Sequence, residues 1–136
     1  MKFCWLEIKL RTTAYLSLGS NIGDRAANLN QAIKGLGALG AVVAVSGFYE
    51  TEPVDVVLNQ PWFLNCALAI ETELTAPELL SRILAVEHSM GRQRTEFKGP
   101  RIIDIDIIFF GSAVIRAPGL SIPLTPGRPQ LNTSTT

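Results

Sequence analysis

The segment Gly99-Pro100-Arg101-Ile102-Ile103-Asp104-Ile105-Asp106-Ile107-Ile108 sets two carboxylates two residues apart in a run of isoleucines. In an extended chain, side chains at that spacing point the same way. Asp104 and Asp106 would then share one face, roughly 7 Å apart, with Ile103, Ile105 and Ile107 turned to the core. Like charges so placed repel unless a cation lies between them. Paired carboxylate oxygens suit magnesium, which takes one or two carboxylates, keeps water and completes its shell with phosphate oxygens. Arg92, Arg94, Lys98 and Arg101 come just before or within this segment. A guanidinium holds phosphate oxygens in a two-pronged fork, and a cation at a transferring phosphoryl group stabilises charge that develops in the transition state. A generic Asp-x-Asp is more often the solvated side of a strand. The basic company is what points to nucleotide chemistry.

Other chemistries find less support. The Gly-x-x-x-x-Gly-Lys-Ser/Thr loop is absent, and the glycines at 35, 37 and 40 do not lead from a strand into a helix, so neither a P-loop nor a dinucleotide fingerprint is present. His88 is the single histidine, which rules out a histidine metal cluster and reads better as solvent-facing than as a base. Lys plus Arg equals Asp plus Glu at 12 each, so no global field draws in nucleic acid or an anionic membrane. An anionic ligand must be held by local charges. Cys4 and Cys66 have neither zinc nor redox spacing and read as reduced thiols. Glu7, Lys9 and Arg11 interrupt the N-terminal apolar stretch short of a signal or membrane segment, so the expected location is the cytoplasm.

The elements that must position these residues follow from pattern. Thr13 to Leu18 alternates and is closed by Gly19-Ser20-Asn21, giving a strand and a sharp turn. Leu29, Ile33, Leu36 and Leu39 recur at helical spacing, placing a helix over about 24–36 with Asp24 as an acid in its first turn. Ala41 to Tyr49 and Phe63 to Thr72 read as antiparallel strands joined by a long loop. Thr75-Ala76-Pro77-Glu78 starts a second helix, whose buried face is Leu79, Leu80, Ile83, Leu84 and Val86, ending before Gly91. Ile102 to Phe110 is the last strand. The class is α+β: a ferredoxin-like βαββαβ antiparallel sheet with the helices packed on one side.

Several segments together resemble the hydroxymethyl-dihydropterin pyrophosphokinase family. They are Tyr15 to Asn21, Phe48-Tyr49-Glu50-Thr51-Glu52-Pro53, Gln60 to Asn65, Glu87 with Gly91-Arg92, and Gly99 to Gly111, in the family's order and spacing. The resemblance implies pyrophosphoryl transfer from ATP to the hydroxymethyl oxygen of a reduced pterin, releasing AMP, with two magnesium ions and ATP as co-substrate. It implies that Asp104 and Asp106 ligate the metals, that Asp104 also meets the pterin, and that Arg92 and Arg101 handle the ATP phosphates and the transition state. It places Glu87 on the nucleotide side of the cleft. Thr51, Phe63 and Asn65 match the pterin pocket, with Phe63 stacking on the ring and Asn65 bonding its edge. The loops 52–61 and 91–98 match segments that close over ATP. Partners are expected to be these small molecules alone, with no nucleic acid, membrane or obligate protein partner.

This reading divides the chain into an N-terminal extension (1–12), a pyrophosphokinase-like domain (13–122) and a disordered, non-family tail (123–136). After Ile122-Pro123 the family continues with a histidine, an arginine and a phenylalanine leading to closing elements, whereas this chain reads Leu124-Thr125-Pro126-Gly127-Arg128-Pro129. The C-terminal elements of the family are therefore expected to be missing, by a shift of reading frame or by genuine divergence, with reduced stability and turnover as the consequence. A non-catalytic ferredoxin-like binding module is the runner-up. An RNA-binding sheet fits less well, because basic, aromatic-rich central strands are not evident.

Overall fold

The computed structural model describes residues 10–53, 60–92, 100–113, 115–117 and 120–122, the last two segments as backbone. The first strand, β1 (Thr12–Ser20), buries Ala14, Leu16 and Leu18 and turns Tyr15 to the other side, as its alternation requires. Helix α1 (Arg25–Leu36) follows. Asp24 is its N-cap and not a first-turn acid: the side chain accepts from the Ala27 backbone amide at 3.0 Å, which satisfies an amide the helix itself leaves open.

The stretch read as one strand from Ala41 to Tyr49 is two, β2 (Ala41–Val45) and β3 (Tyr49–Thr51). Both pair with β4 (Phe63–Thr72), so they form one interrupted edge. At the break, Ser46 donates its backbone amide to Ala67 O at 2.8 Å, and its hydroxyl oxygen accepts from Ala67 N–H at 2.8 Å. The hydroxyl thus stands in for a ladder carbonyl, which a strand pattern alone does not reveal.

Helix α2 (Ala76–Ser89) and β5 (Asp104–Phe110) complete the βαββαβ order. The sheet runs β2-β4-β1-β5, antiparallel throughout. Leu29, Ala32 and Leu36 of α1 and Leu79 and Ile83 of α2 meet Leu16, Leu18, Ile70, Ile103, Ile105 and Ile107 in one core, so both helices cover the same sheet face. Each such fully buried aliphatic side chain contributes about 1.5–3 kcal/mol of transfer free energy. His88 is exposed and Cys66 is a buried free thiol, its pKa raised by burial; Cys4 lies outside the described residues. A hairpin not foreseen from the sequence, β6 (Ile115–Ala117) and β7 (Leu120–Ile122), follows β5. Among the described residues no helix is long and apolar enough to cross a membrane. Residues 1–9 and 123–136, which hold most of the expected extension and all of the expected tail, lie outside the described residues.

The helix start announced by Thr75-Ala76-Pro77-Glu78 is a capping box. Thr75 Oγ1 accepts from Glu78 N–H at 3.3 Å, and Glu78 Oε1 accepts from Thr75 N–H at 2.8 Å. That second bond, ahead of the threonine hydroxyl, holds the Glu78 carboxyl below the usual carboxylate range. A carboxyl whose folded pKa is depressed contributes stability above its unfolded pKa and loses it as pH falls through the folded value. Thr75→Ala is expected to lower the unfolding free energy at neutral pH by about 1 kcal/mol in a urea titration. An NMR titration of the variant should show the Glu78 carboxyl moving up toward its ordinary range.

Candidate functional site

The sheet face away from the helices carries the candidate site residues, because alternation sends every second residue of β1, β4 and β5 to that side. Tyr49 pairs with Asn65, Asn65 with Gly19, and Gly19 with Asp104. Directly paired residues point to the same side, so this is one row across the open face. In the row two residues further along β1, Ser17 pairs with Ala67 and with Asp106. Asp104 and Asp106 are therefore brought to one face, while Ile103, Ile105 and Ile107 between and beside them are fully buried on the other.

Thr51, Phe63 and Asn65 are also brought together. Thr51 pairs with Phe63 across β3 and β4. Asn65 Nδ2 donates to Thr51 Oγ1 at 2.8 Å and to Tyr49 O at 3.3 Å, which fixes the amide plane and leaves Oδ1 directed toward Gly19. A Cβ on Gly19 would lie 2.9 Å from Asn65 Oδ1 and 3.4 Å from Phe63 Cδ1. The missing side chain thus opens a floor between the Asn65 amide on one strand and the Asp104 carboxylate two strand spacings away, about 10 Å across.

Arg92 and Glu87 lie beneath and beside this floor. Glu87 follows Leu79 and Ile83 on the buried stripe of α2 and is 1% exposed. Gly91, with φ 88°, ends the helix in the left-handed region and turns the chain back. Arg92 then reaches the edge of β5, where Nη1 donates to Asp104 Oδ1 at 2.7 Å, to Ile103 O at 2.9 Å and to Glu87 Oε2 at 3.4 Å. The same Glu87 oxygen accepts from Ile105 N–H at 2.8 Å. Arg92 Nε is buried without a hydrogen-bond partner. The resemblance implies the nucleotide side for Glu87 and Arg92; in the structure Glu87 meets Arg92 and Ile105, and Arg92 pairs with the Asp104 carboxylate.

Arg101 enters β5 through its backbone: its N–H donates to Asn21 Oδ1 at 2.7 Å and its carbonyl accepts from Asn21 N–H at 3.0 Å. Asn21 is 1% exposed, and its Nδ2 reaches Gln60 Oε1 and Pro61 O, both at 3.2 Å. One buried asparagine thus ties the end of β1 to the approaches of both β4 and β5. From sequence it reads only as turn chemistry. Its burial beside two separate loops carries no local signal. Arg25 makes a similar exposed tie, donating to Trp62 O at 2.9 Å and pairing with Glu50 at 2.8 Å. Arg94, Lys98 and the larger parts of the two expected closing loops, 54–59 and 93–98, lie outside the described residues.

Among the described residues no group of three or more His, Cys, Asp or Glu could hold a metal by itself. A pair of carboxylates on one face is nevertheless the donor set that suits magnesium when phosphate oxygens and water supply the remainder. The chain matches the model of the family described as 7,8-dihydro-6-hydroxymethylpterin-pyrophosphokinase over residues 15–129. It is 46% identical over 114 residues to 2-amino-4-hydroxy-6-hydroxymethyldihydropteridine pyrophosphokinase of Methylorubrum extorquens, a match covering 82% of this chain and 72% of that protein. It is 48% identical over 113 residues to the bifunctional protein FolKE of Lactococcus lactis, covering 82% of this chain and 32% of the longer one. The fold is similar to the crystal structure of wild-type Plasmodium falciparum HPPK-DHPS with pterin and p-hydroxybenzoate, with a TM-score of 0.62 at 20% identity over 80% of this chain and 29% of that one.

Gly19→Ala should displace the Asn65 amide and break its bond to Thr51, because the added methyl meets Asn65 Oδ1 inside normal contact distance. The expected readout is a shifted pair of Asn65 side-chain amide resonances with a stability change of about 1 kcal/mol or less. Unshifted resonances would mean the floor is looser than the geometry indicates.

Proposed function

The chain belongs to the 7,8-dihydro-6-hydroxymethylpterin-pyrophosphokinase family, the enzymes that transfer pyrophosphate from ATP to hydroxymethyldihydropterin in folate biosynthesis, and we propose that it does so on the open face of its sheet. The observation that carries this is the row Asn65, Gly19, Asp104, with Asp106 in the adjoining row. A flat bicyclic ring lying over Gly19 would present its edge to Asn65, its face to Phe63 and its hydroxymethyl group toward the carboxylates. The fixed amide of Asn65 offers an acceptor oxygen toward the ring, and Thr51 keeps it from rotating.

In the reaction, the hydroxymethyl oxygen forms a bond to the β-phosphorus of ATP and gives up its proton to solvent, while the bond from that phosphorus to the bridging α–β oxygen breaks and AMP leaves with that oxygen. Such transfers depend on positioning and charge neutralisation more than on covalent help from the protein. Magnesium, which we propose as two ions, would be held by Asp104 and Asp106 and would supply charge neutralisation on the phosphate oxygens. Arg101, just ahead of β5, we assign to the phosphates on resemblance. Arg92 balances Asp104 from beneath and adds positive potential to the same corner. Glu87, which resemblance groups with the nucleotide side, is held against Arg92 and the Ile105 backbone amide.

We take residues 13–122 as the catalytic unit, flanked by segments 1–12 and 123–136; the family model matches from residue 15 and runs on past that boundary to residue 129. The divergent residues after Ile122 replace the histidine, arginine and phenylalanine expected there, and slow turnover follows from that loss. A cytoplasmic location and the absence of an obligate protein partner fit an enzyme that draws on ATP and a small reduced pterin.

The test is AMP formation from ATP and the hydroxymethyl pterin with magnesium. Asp106→Ala should reduce turnover at least about 1,000-fold, a loss of roughly 4 kcal/mol of transition-state stabilisation, with the thermal melt unchanged to within a few degrees. Removing magnesium with a chelator should have the same effect on the wild-type chain. Turnover that survives in Asp106→Ala would remove the assignment.

A further inference from the structure

The edge of β5 is where a second layer of the site shows itself. β5 ends the sheet order, so among the described residues no strand is hydrogen-bonded to its outer edge. Two side chains occupy the edge instead. Glu87 Oε2 accepts from Ile105 N–H at 2.8 Å, and Arg92 Nη1 donates to Ile103 O at 2.9 Å. These backbone groups lie on either side of Asp104, whose carboxylate takes the 2.7 Å bond from the same Arg92 nitrogen. The ion pair therefore does around Asp104 what a neighbouring strand would do.

Glu87 is the member of this arrangement that nothing else explains. Leu79, Ile83 and Glu87 are spaced four apart on one helix stripe, and the first two are core residues. A carboxylate at the end of such a stripe loses its water, which is costly unless partners at hydrogen-bond distance replace it. Its partners are the β5 edge and Arg92, and at 1% exposure it presents no surface to a nucleotide.

We propose that Glu87 is a positioning residue for the metal-binding carboxylates: it caps the β5 edge at Ile105, holds Arg92 against Ile103 and Asp104, and so sets the direction in which Asp104 faces its cation. This rests on the reading of Asp104 and Asp106 as the magnesium pair. Outer groups that orient a metal ligand typically govern metal affinity or activity by about 10–100-fold. The backbone amide of Arg92, which donates to Glu87 O at 3.1 Å, makes the turn and the clamp one unit.

The experiment uses the full chain, with manganese as the probe because it shares magnesium's preference for octahedral oxygen ligands. Manganese affinity without nucleotide is read by electron paramagnetic resonance for wild type, Glu87→Ala, Glu87→Gln and Asp106→Ala. ATP affinity without metal is read by calorimetry, and exchange of the Ile105 amide by NMR. Glu87→Ala should weaken manganese binding about 10–100-fold and speed exchange at Ile105, with metal-free ATP affinity unchanged. Glu87→Gln, which keeps an acceptor for Ile105 N–H, should show a smaller loss. Unchanged manganese affinity in Glu87→Ala, or in Glu87→Gln should the alanine variant not fold, would overturn the proposal. So would a fall in metal-free ATP affinity, which would make Glu87 a nucleotide contact. If wild type and Asp106→Ala bind manganese alike, the metal reading itself fails and takes this proposal with it.

Discussion

One guanidinium nitrogen, Arg92 Nη1, meets the Asp104 carboxylate, the Ile103 carbonyl and the Glu87 carboxylate at the outer edge of β5. A cation this deeply placed persists only where acceptors replace its hydration, and here all three come from the element that carries the site or the helix packed on it. The sheet order makes this possible by leaving β5 at the end. Gly91 makes it reachable by reversing the chain after α2. Removing any of these would take away the bond by which Arg92 holds the Asp104 carboxylate.

The second constraint is strand alternation. The same β5 residues that bury Ile103, Ile105 and Ile107 against both helices must project Asp104 and Asp106 to the other side. β1 repeats this with Leu16 and Leu18 inward and Ser17 and Gly19 outward. Core and site are thus two faces of one pattern, and a one-residue slip in pairing would bury the carboxylates. Asn21 guards against that slip by binding residues ahead of both neighbouring strands at once.

Much of this was legible beforehand. The Ile-Asp alternation announces both the strand and the face its carboxylates share, and Thr75-Ala76-Pro77-Glu78 announces a capped helix, since each is a short-range pattern with a local cause. The break between β2 and β3 was not legible, because it depends on a serine hydroxyl meeting Ala67 across the sheet. Asn21 looked like a turn residue and Asp24 like a first-turn acid, because burial and capping geometry are set by partners 40 to 80 positions away or by one residue of helix phase. Glu87 was named on resemblance alone, because its contacts, to Ile105 and Arg92, exist only once α2 has docked on β5. The membership of Thr51, Phe63 and Asn65 in one cluster came from resemblance, and no spacing rule would have joined them.

The central claim is that the open-face carboxylates grip divalent cations that bridge a nucleotide's phosphates. Crystals grown with manganese and a nonhydrolysable ATP analogue test it directly, through the anomalous signal of the metal. The account predicts peaks within coordination distance of both Asp104 and Asp106, with phosphate oxygens completing the shell at about 2 Å. Density for the nucleotide with no peak at either carboxylate would contradict it.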